Sequence, residues 1–314
     1  MDNPFVSFIV MTYNAERYVK EAIEGAFEQT YENMEIIISD DCSTDNTFEV
    51  IQETVAQYKG SKPCRVLRNE QNIGIGAHLN KLWWEEAKGD WIIPSAGDDV
   101  SLPHRTERMM KEAKEMVSFI HASHYKIDSI GKNIDYVDDF HKRHEIFERK
   151  NLEEIILSGI CVRGNCMAIN KKKLHYFDPF IDDLVNEDVI LAYRTAFAGN
   201  LVYIDEPLVK YRIHDVSISF TTANKINYVD WATQKKDTIS KVSRQLLIFE
   251  QIEQDNKIMK LDNLLCLQPK KDKTAILGFL YSNLSFSPYM LLSWFFYKES
   301  IKRILYPILY RVTK

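Results

Sequence analysis

The sequence predicts an α/β protein with a doubly wound, mostly parallel sheet. Two observations carry this prediction: short β-branched runs alternate with segments of helical spacing, and short polar loops separate them. The predicted strands are Phe5–Met11, Glu35–Ser39, Arg65–Arg68 and Trp91–Pro94. The predicted helices are Ala15–Gln29, Phe48–Tyr58 and His78–Ala87. Because ligands of such sheets bind at the carboxyl ends of the strands, we expect a site there.

The first strand and the first helix show the two periodicities. The run VSFIVM within Phe5–Met11 is β-branched and apolar, as in a buried parallel strand. Tyr13 and Asn14 end it. In Ala15–Gln29 apolar residues recur every three or four positions, which is typical of an amphipathic helix. Its apolar residues are Tyr18, Ala22, Ile23, Ala26 and Phe27.

The second and fourth predicted strands each run directly into a pair of aspartates. Since parallel strands end at the same edge of a sheet, we expect these two acidic turns and Tyr13 to lie close together. The acidic residues are Asp40, Asp41, Asp98 and Asp99. Glycines 74 and 76 mark a turn rather than a dinucleotide fingerprint, because the third glycine is missing.

The second half of the chain is harder to assign. The charge-rich segment 121–160 is either an insertion or a solvated helical face, and we favour the helical face. From about residue 220 onward the pattern is helical, which divides the chain into domains 1–220 and 221–314. Ordered patterns between these regions lie at 165–170, 201–205 and 208–213, with a helix at 189–198.

Composition limits the classes of function. The chain has 314 residues, of which 45% are hydrophobic and 27% charged, as in an ordinary globular protein. Its net charge of −5 argues against nucleic-acid binding, which leaves a basic footprint. The five cysteines form no CxxC pair, so reduced cytosolic thiols are expected. The acidic N-terminus has no signal-peptide pattern, so we expect a cytoplasmic protein.

The segment 289–314 differs from the rest of the chain. It has five basic residues against one acidic residue, a net charge of +4, while the remainder carries −9. Its apolar run YMLLSWFFY (289–297) is too short to span a bilayer, which needs ~20 apolar residues. Aromatic residues beside basic ones suit either a helix in a membrane interface or a terminal helix packed on the core. The first reading places the protein at the inner face of the cytoplasmic membrane.

Each acidic pair has a chemical and a structural interpretation. Asp98 and Asp99 directly follow a strand, where carboxylates can hold Mg²⁺ or Mn²⁺ together with phosphate oxygens of a ligand. The same pair can instead cap a helix that begins near Pro103. Asp40 and Asp41 precede further helix-capping residues, so their structural interpretation is equally strong.

The ordered set of motifs is more specific than any one of them. The string VSFIVMTYNAERYVKEAIEGAFEQTYENMEIIISDDCSTDNT is followed by NIGIGAHLN, GDWIIPSAGDD, NEDVILAYRTAFAG and EPLVKYRIHDVSIS. Together they resemble the GT-A glycosyltransferases of the large inverting family two, over roughly residues 5 to 220. The resemblance implies a Rossmann-like nucleotide-binding half, an acceptor half and a C-terminal helical extension.

The resemblance assigns roles on the donor side. Thr12 and Tyr13 match the loop that cradles the base, with Tyr13 offering an aromatic face. Asp41, with Asp40 beside it, matches the carboxylate that accepts a hydrogen bond from the base, which favours uracil. Asp98 matches both a nucleotide-binding and a metal-binding position.

Three further residues complete the implied diphosphate and metal site. Asp99, together with Asp98, matches the metal motif (D-x-D in many members), and the usual first acid is replaced by Ala96, which leaves open which aspartate binds the metal and which the ribose. Arg212 and His214 match a segment that closes over the diphosphate, where both offset its charge and His214 is expected as a metal ligand. The implied cofactor is Mn²⁺ or Mg²⁺.

Glu187 and Asp188 match the acidic pair on the acceptor side. An inverting transfer needs one base to take the proton from the attacking hydroxyl, and Asp188 fits that role, with Glu187 orienting it or contacting the acceptor. Without the other motifs, both would be read as acids at the start of a helix.

The sequence therefore predicts a metal-dependent inverting glycosyltransferase of hexosyltransferase type. It would move a sugar from a UDP-sugar to a hydroxyl of a saccharide or lipid-linked acceptor in surface-polysaccharide assembly. The main alternative is a non-catalytic nucleotide-sugar-binding or scaffold protein of the same fold, against which Asp98, Asp99 and Asp188 argue. A nucleotidyltransferase would carry a glycine-rich, basic N-terminal loop, which MTYNAERY lacks.

Overall fold

The chain is described by a computed structural model over residues 3–137, 145–147, 164–174, 177, 179–180, 191, 194 and 198–214. The strands are β1 (Val6–Thr12), β2 (Met34–Asp40), β3 (Cys64–Arg68), β4 (Trp91–Ala96), β5 (Val100–Ser101), β6 (Val117–Ile127), β7 (Asn133–Val137), β8 (Glu145–Phe147), β9 (Met167–Asn170) and β10 (Asn200–Arg212). The helices are α1 (Val19–Phe27), α2 (Thr47–Ala56), α3 (Gly74–Asn80), α4 (Arg105–Met110) and α5 (Lys171–Leu174). A π-helical segment, Lys81–Glu86, continues α3, and a 3₁₀ turn, Gly164–Cys166, precedes β9.

In the described part of the chain, ten strands form one sheet. Its main path is β3-β2-β1-β4-β9-β6-β10-β5, while β7 pairs with β6 and β8 with β10. Neighbours within β3-β2-β1-β4 are parallel, as are β6 and β10. Strand β9 runs antiparallel to both β4 and β6. This mixed, mostly parallel sheet confirms the predicted fold class.

The core lies where the helices cover the first strands. All seven residues of β2 are buried, as are all but one of β1. This explains why their sequences are continuous apolar runs rather than alternating ones. Helix α1 packs its apolar face on this layer through Val19, Ala22, Ile23 and Ala26. Thus the helical spacing seen in the sequence marks the face that α1 buries.

Local backbone chemistry shifts two helix boundaries from those predicted. The helix expected from Ala15 begins at Val19, because the carbonyl of Ala15 first accepts bonds from the amides of Tyr18 and Val19 (both 2.9 Å). Asn14 precedes this turn with a φ of 50°. The helix expected from His78 begins at Gly74, whose φ of 80° suits glycine at the start of that turn.

The prediction of a solvated helical face at 121–160 is wrong for the residues described there. Residues up to Ile127 belong to β6, and β7 and β8 follow. His121 and His124 are fully buried in this sheet. Because histidine is polar, the sequence did not indicate a buried strand here. The burial of β6 comes from its pairing with β9 and β10. The helices expected at 189–198 and beyond 220, and the domain boundary at 220, are not covered by the described residues.

A buried polar connection fixes the amino ends of β1 and β2. The Ser7 hydroxyl donates to Glu35 Oε1 (2.7 Å), and the amides of Lys88 and Gly89 donate to Glu35 Oε1 and Ser7 Oγ (both 2.8 Å). A Cβ at Gly89 would lie 2.3 Å from the Ser7 nitrogen and 2.7 Å from the Val6 carbonyl carbon. The glycine therefore lets the chain enter β4 in contact with β1.

We expect Gly89→Ala to lower the free energy of unfolding by about 2 kcal/mol, because a methyl group there meets backbone atoms that cannot move aside. Urea unfolding monitored by circular dichroism measures the change. Gly60→Ala is the matched control, since the three atoms nearest to its new Cβ all belong to the side chain of Tyr58 rather than to the backbone. Equal stability of the two variants would contradict this account of the close approach.

Candidate active site

The predicted site residues meet at the carboxyl edge of the sheet. In the parallel ladders Thr12 lies opposite Asp40, and Met11 lies opposite Ala96. The chain leaves β1, β2 and β4 at the same level, so the three following loops share one edge. A Cβ on Gly97 would lie 2.8 Å from Cγ2 of Thr12, so the loops after β4 and β1 are in direct contact.

The loop after β1 is fastened to the loop after β2. The Asp41 amide donates to the Thr12 carbonyl (2.9 Å), and the Asn14 amide donates to Ser43 Oγ (2.9 Å). Thr12 is buried, whereas Tyr13 leaves 48% of its surface exposed between these anchored neighbours. A rigid loop thus presents one aromatic ring to the solvent, which is the geometry that stacking on a planar ring requires.

Asp40 is a fully buried carboxylate at the end of β2. Its Oδ2 accepts the Ser43 amide (3.0 Å) and lies 3.4 Å from Arg68 Nε. Its Oδ1 accepts the hydroxyls of Thr12 (3.3 Å) and Ser43, the latter in close contact. The Arg68 guanidinium compensates the buried charge, and the hydrogen bonds fix the loop.

Asp41 anchors a third loop, the one that follows β3. Its Oδ1 accepts the Asn69 side-chain amide (2.8 Å) and the Ile73 backbone amide (3.0 Å). Its Oδ2 accepts the Gly74 amide (3.0 Å). Asp41 is 4% exposed, so these contacts take place in the interior of the loop cluster. The two neighbouring aspartates therefore hold the loops after β1 and β3 together, and the complete burial of Asp40 corrects the expectation that it contacts a ligand.

The second acidic pair separates into an accessible and a buried residue. The Asp98 side chain is 27% exposed, and its Oδ2 lies 2.9 Å from His214 Nε2. Asp99 is 1% exposed; its Oδ1 accepts the Arg212 amide (2.8 Å), and its Oδ2 is in close contact with the Asn165 amide group. Burial, with the charge of Asp98 adding to it, raises the pKa of Asp99 well above its usual 3.8.

The position of Asp99 differs from the one expected of a metal ligand. Both of its oxygens bond inside the protein, while Asp98 meets His214 at the accessible side of the same turn. Of the two residues, the geometry favours Asp98 as the one available to a cation.

Arg212 is buried, whereas a side chain that binds a diphosphate would be accessible to it. The residue is 1% exposed, and its guanidinium bonds to protein groups on three sides. Nε donates to the Asp98 carbonyl (2.8 Å), Nη1 to the Asp128 carbonyl (3.3 Å) and Nη2 to Glu21 Oε2 (2.8 Å). The guanidinium thus supports the Asp98 turn from within the protein, which corrects the expectation that it faces the ligand.

Several supporting residues were missed by the sequence reasoning. Asn69 directly follows β3, so the rule that sites form at strand ends gave a signal for it. Asn165 and Glu21 had no such signal, because they act on residues 66 and 191 positions away along the chain. The expected catalytic pair, Glu187 and Asp188, is not covered by the described residues.

Within the described ranges, no group of three or more His, Cys, Asp or Glu side chains is arranged to hold a metal. Asp98 and His214 provide one carboxylate and one imidazole. The carboxylate suits Mg²⁺ or Mn²⁺, since Mg²⁺ is usually held by one or two carboxylates completed by substrate phosphates and Mn²⁺ prefers the same oxygen ligands.

Comparison with known proteins gives the family. The model for the family described as Glycosyl transferase family 2 matches residues 7–177, more than half of the chain. The chain belongs to glycosyl transferase family 2. This confirms the family indicated by the ordered motifs, and with it the prediction of a glycosyltransferase.

Relatives in this family resemble the chain over different lengths. The putative glycosyltransferase EpsE of Bacillus subtilis is 38% identical over 107 residues, which are 34% of this chain and 37% of EpsE. The putative glycosyltransferase EpsH of the same organism is 29% identical over 228 residues, 69% of this chain and 63% of EpsH. Each alignment spans less than two thirds of the relative.

Solved structures support the GT-A fold of this family-2 protein. Residues 1–349 of S. aureus TarS, in complex with UDP-GlcNAc, superpose with a TM-score of 0.65 at 17% identity, covering 90% of this chain and 73% of that one. The mannosyltransferase PcManGT of Pyrobaculum calidifontis, in complex with GDP-Man and Mn²⁺, gives a TM-score of 0.52 at 15% identity, covering 89% and 86%. At these identities the likeness shows the fold alone.

A buried histidine lies beneath the acidic loop after β2. His78 of α3 is 2% exposed, and its Nε2 lies 2.7 Å from Ser39 Oγ, one residue before Asp40. Burial lowers the pKa of His78 below its usual 6.5; Asp41 opposes this shift and Lys81 adds to it. The neutral imidazole is therefore the form that the folded protein favours.

We expect acidification below pH 6.5 to destabilise the protein partly through His78. In this range the unfolded chain takes up a proton that the folded chain resists, so stability falls with pH. His78→Gln should therefore lose less unfolding free energy than the wild type between pH about 7.5 and about 5.5 in urea titrations. Identical slopes for wild type and His78→Gln would refute this.

Proposed function

We propose that the protein is a metal-dependent inverting glycosyltransferase of hexosyltransferase type. It transfers a sugar from a UDP-sugar to a hydroxyl of a saccharide or lipid-linked acceptor. The observation that carries this proposal is the Asp98–His214 pair, which lies accessible at the same sheet edge as the exposed ring of Tyr13 and the loops held by Asp40 and Asp41. Base, diphosphate and sugar can then extend along one edge.

The donor side of the proposal rests on the base-binding loops. Tyr13 stacks on the base, and Asp41 accepts a hydrogen bond from the uracil N–H, while Asp40 is fully buried and fixes the loop together with Thr12. UDP-GlcNAc in the TarS complex supports a UDP-linked donor, while GDP-Man in the PcManGT complex shows that the fold accepts another base. The N–H donor of uracil complements a carboxylate, so we favour UDP.

Asp98 and His214 would hold the divalent cation, Mn²⁺ or Mg²⁺. The Asp98 carboxylate suits either ion, whereas the His214 imidazole is a poor ligand for Mg²⁺, which prefers oxygen; His214 directs its Nε2 at Asp98 Oδ2 (2.9 Å). When bound, such an ion supplies positive charge that stabilises the leaving UDP. Arg212 supports the 98–99 turn from the protein interior. Its backbone amide donates to Asp99 Oδ1, and its Nε donates to the Asp98 carbonyl.

The acceptor side of the proposal rests on sequence. Asp188 takes the proton of the acceptor hydroxyl as it attacks the anomeric carbon, and Glu187 orients that carboxylate or contacts the acceptor. A single base on the face opposite the leaving diphosphate is what inversion requires. The alternative of a non-catalytic binding or scaffold protein would show no hydrolysis of the bound donor in the absence of acceptor.

We further propose that the enzyme works in surface-polysaccharide assembly on the cytoplasmic side, in peripheral contact with the membrane through 289–314. The basic and aromatic composition of that segment supports this. In the portion of the chain covered here, no helix has the length and apolarity needed to cross a membrane. Screening nucleotide sugars against defined lipid-linked acceptors tests the function as a whole, and absence of transfer from any donor would refute it.

Asp98→Asn should remove the metal-dependent part of UDP binding, because an amide does not neutralise a divalent ion. Calorimetry with UDP should give the same affinity in Mn²⁺ as in EDTA for this variant, and a higher affinity in Mn²⁺ for the wild type. Asp90→Asn, at the opposite end of β4 and paired with Lys172, is the matched control. An intact Mn²⁺ effect in Asp98→Asn would exclude this residue as a ligand.

Asp188→Asn should leave UDP affinity near that of the wild type and reduce sugar transfer ~10²-fold or more, the usual scale for loss of a general base. Initial rates at saturating donor measure the effect. Glu187→Gln is measured in parallel, and a larger loss in that variant than in Asp188→Asn would assign the base to Glu187.

A further inference from the structure

Helix α1 contacts the end of β10 through Tyr18, which directly precedes the helix, and through Glu21 in its first turn. Tyr18 and Glu21 are three positions apart and so lie on the same helix face. Glu21 Oε2 is 2.8 Å from Arg212 Nη2, and the ring centroid of Tyr18 is 4.7 Å from Arg212 Cζ. The same ring lies 4.8 Å from the His214 ring. We refer to Tyr18, Glu21 and Arg212 as the clasp.

The clasp connects α1 to both members of the accessible pair. On one side, the Arg212 side chain donates to the backbone carbonyl of Asp98. On the other, His214 follows two residues after Arg212 and packs against Tyr18. The distance between Asp98 Oδ2 and His214 Nε2 therefore depends on where the Arg212 guanidinium is held.

The charge of Arg212 makes Glu21 important for that position. A guanidinium that is 1% exposed loses most of its hydration, and carbonyl oxygens alone compensate a buried cation poorly. Glu21 supplies a full negative charge from a side chain that is itself 53% exposed. Without this carboxylate, the guanidinium gains by moving toward water, which withdraws its bond to the Asp98 carbonyl.

We propose that Glu21 and Tyr18 are positioning residues for the donor site: they hold Arg212 so that Asp98 and His214 stay at ligand distance. This inference rests on the proposed function, since it assigns the clasp an effect on metal-dependent UDP binding. Neither residue needs to touch the donor. Outer contacts of this kind typically change metal affinity or activity by about 10-fold to 100-fold when removed.

The test compares Glu21→Ala with Glu24→Ala. Glu24 lies three positions further along the same helix, is 50% exposed and pairs only loosely with Lys20 (3.8 Å), so its removal matches the loss of charge and the gain of alanine. Calorimetry measures UDP affinity in Mn²⁺ and in EDTA, and thermal unfolding measures stability.

NMR hydrogen exchange provides a second readout. It follows the Arg212 amide, which bonds to Asp99 Oδ1, and uses the Ile213 amide, which bonds to the Ile127 carbonyl, as the internal reference.

We expect Glu21→Ala to weaken UDP binding in Mn²⁺ by about 10-fold, to leave binding in EDTA unchanged and to speed exchange of the Arg212 amide. Its melting temperature should lie below that of Glu24→Ala, because a buried guanidinium loses its countercharge, and unchanged binding in EDTA then shows that the fold is retained. Glu21→Gln, which keeps an oxygen acceptor for Arg212, should give a smaller effect. Tyr18→Phe, which keeps the ring, should resemble the wild type, and Tyr18→Leu should resemble Glu21→Ala.

Two results would overturn the inference. If Glu21→Ala and Glu24→Ala give the same UDP affinity in Mn²⁺, Glu21 does not position the site. If UDP affinity falls while Arg212 exchange is unchanged, the effect does not pass through the clasp. Failure of the wild-type protein to bind UDP at all would instead count against the proposed function, and the exchange rates alone would then decide whether the clasp holds β10.

Discussion

Parallel pairing of β1 with both β2 and β4 is the constraint on which the rest of the site depends. The two ladders fix Thr12 beside Asp40 and Met11 beside Ala96, so the three loops that follow must share one edge. Ligands of open α/β sheets bind outside the carboxyl ends of the strands, which is where these loops lie. The aspartates then fasten these loops to one another, and Tyr13 stands exposed between anchored neighbours.

The second constraint is electrostatic. Asp40, Asp99 and Arg212 are all nearly or fully buried, and each would be costly to bury alone. Arg68 compensates Asp40, Glu21 compensates Arg212, and Asp99 is supported by the Arg212 amide and Asn165. These contacts join helices and strands from both halves of the described sheet. The charges that support the site therefore also hold its parts in register.

Much of this arrangement could be predicted from the sequence because it follows from local rules. Apolar runs and strand-end acids correctly identified β1, β2 and β4 and the edge where their loops meet. These local rules could not predict which of the acidic residues is buried, since Asp98 and Asp99 are neighbours with the same side chain. What separates them is contact with Asn165, Arg212 and His214, which lie 66 to 116 residues away. The histidines of β6 misled for the same reason, because pairing with distant strands buries them.

The sequence separation between Asp98 and His214 has a consequence for how the protein is made. The strands that present Tyr13 and the first acidic pair all lie within the first 96 residues and pair through short connections. His214 can arrive only after β10 has been synthesised and has paired with β6 across a much longer span of chain. Contacts so distant in sequence form late, because the loop must close before they contribute. On the ribosome, the nascent chain would thus form the loops after β1, β2 and β3 well before the Asp98–His214 pair exists.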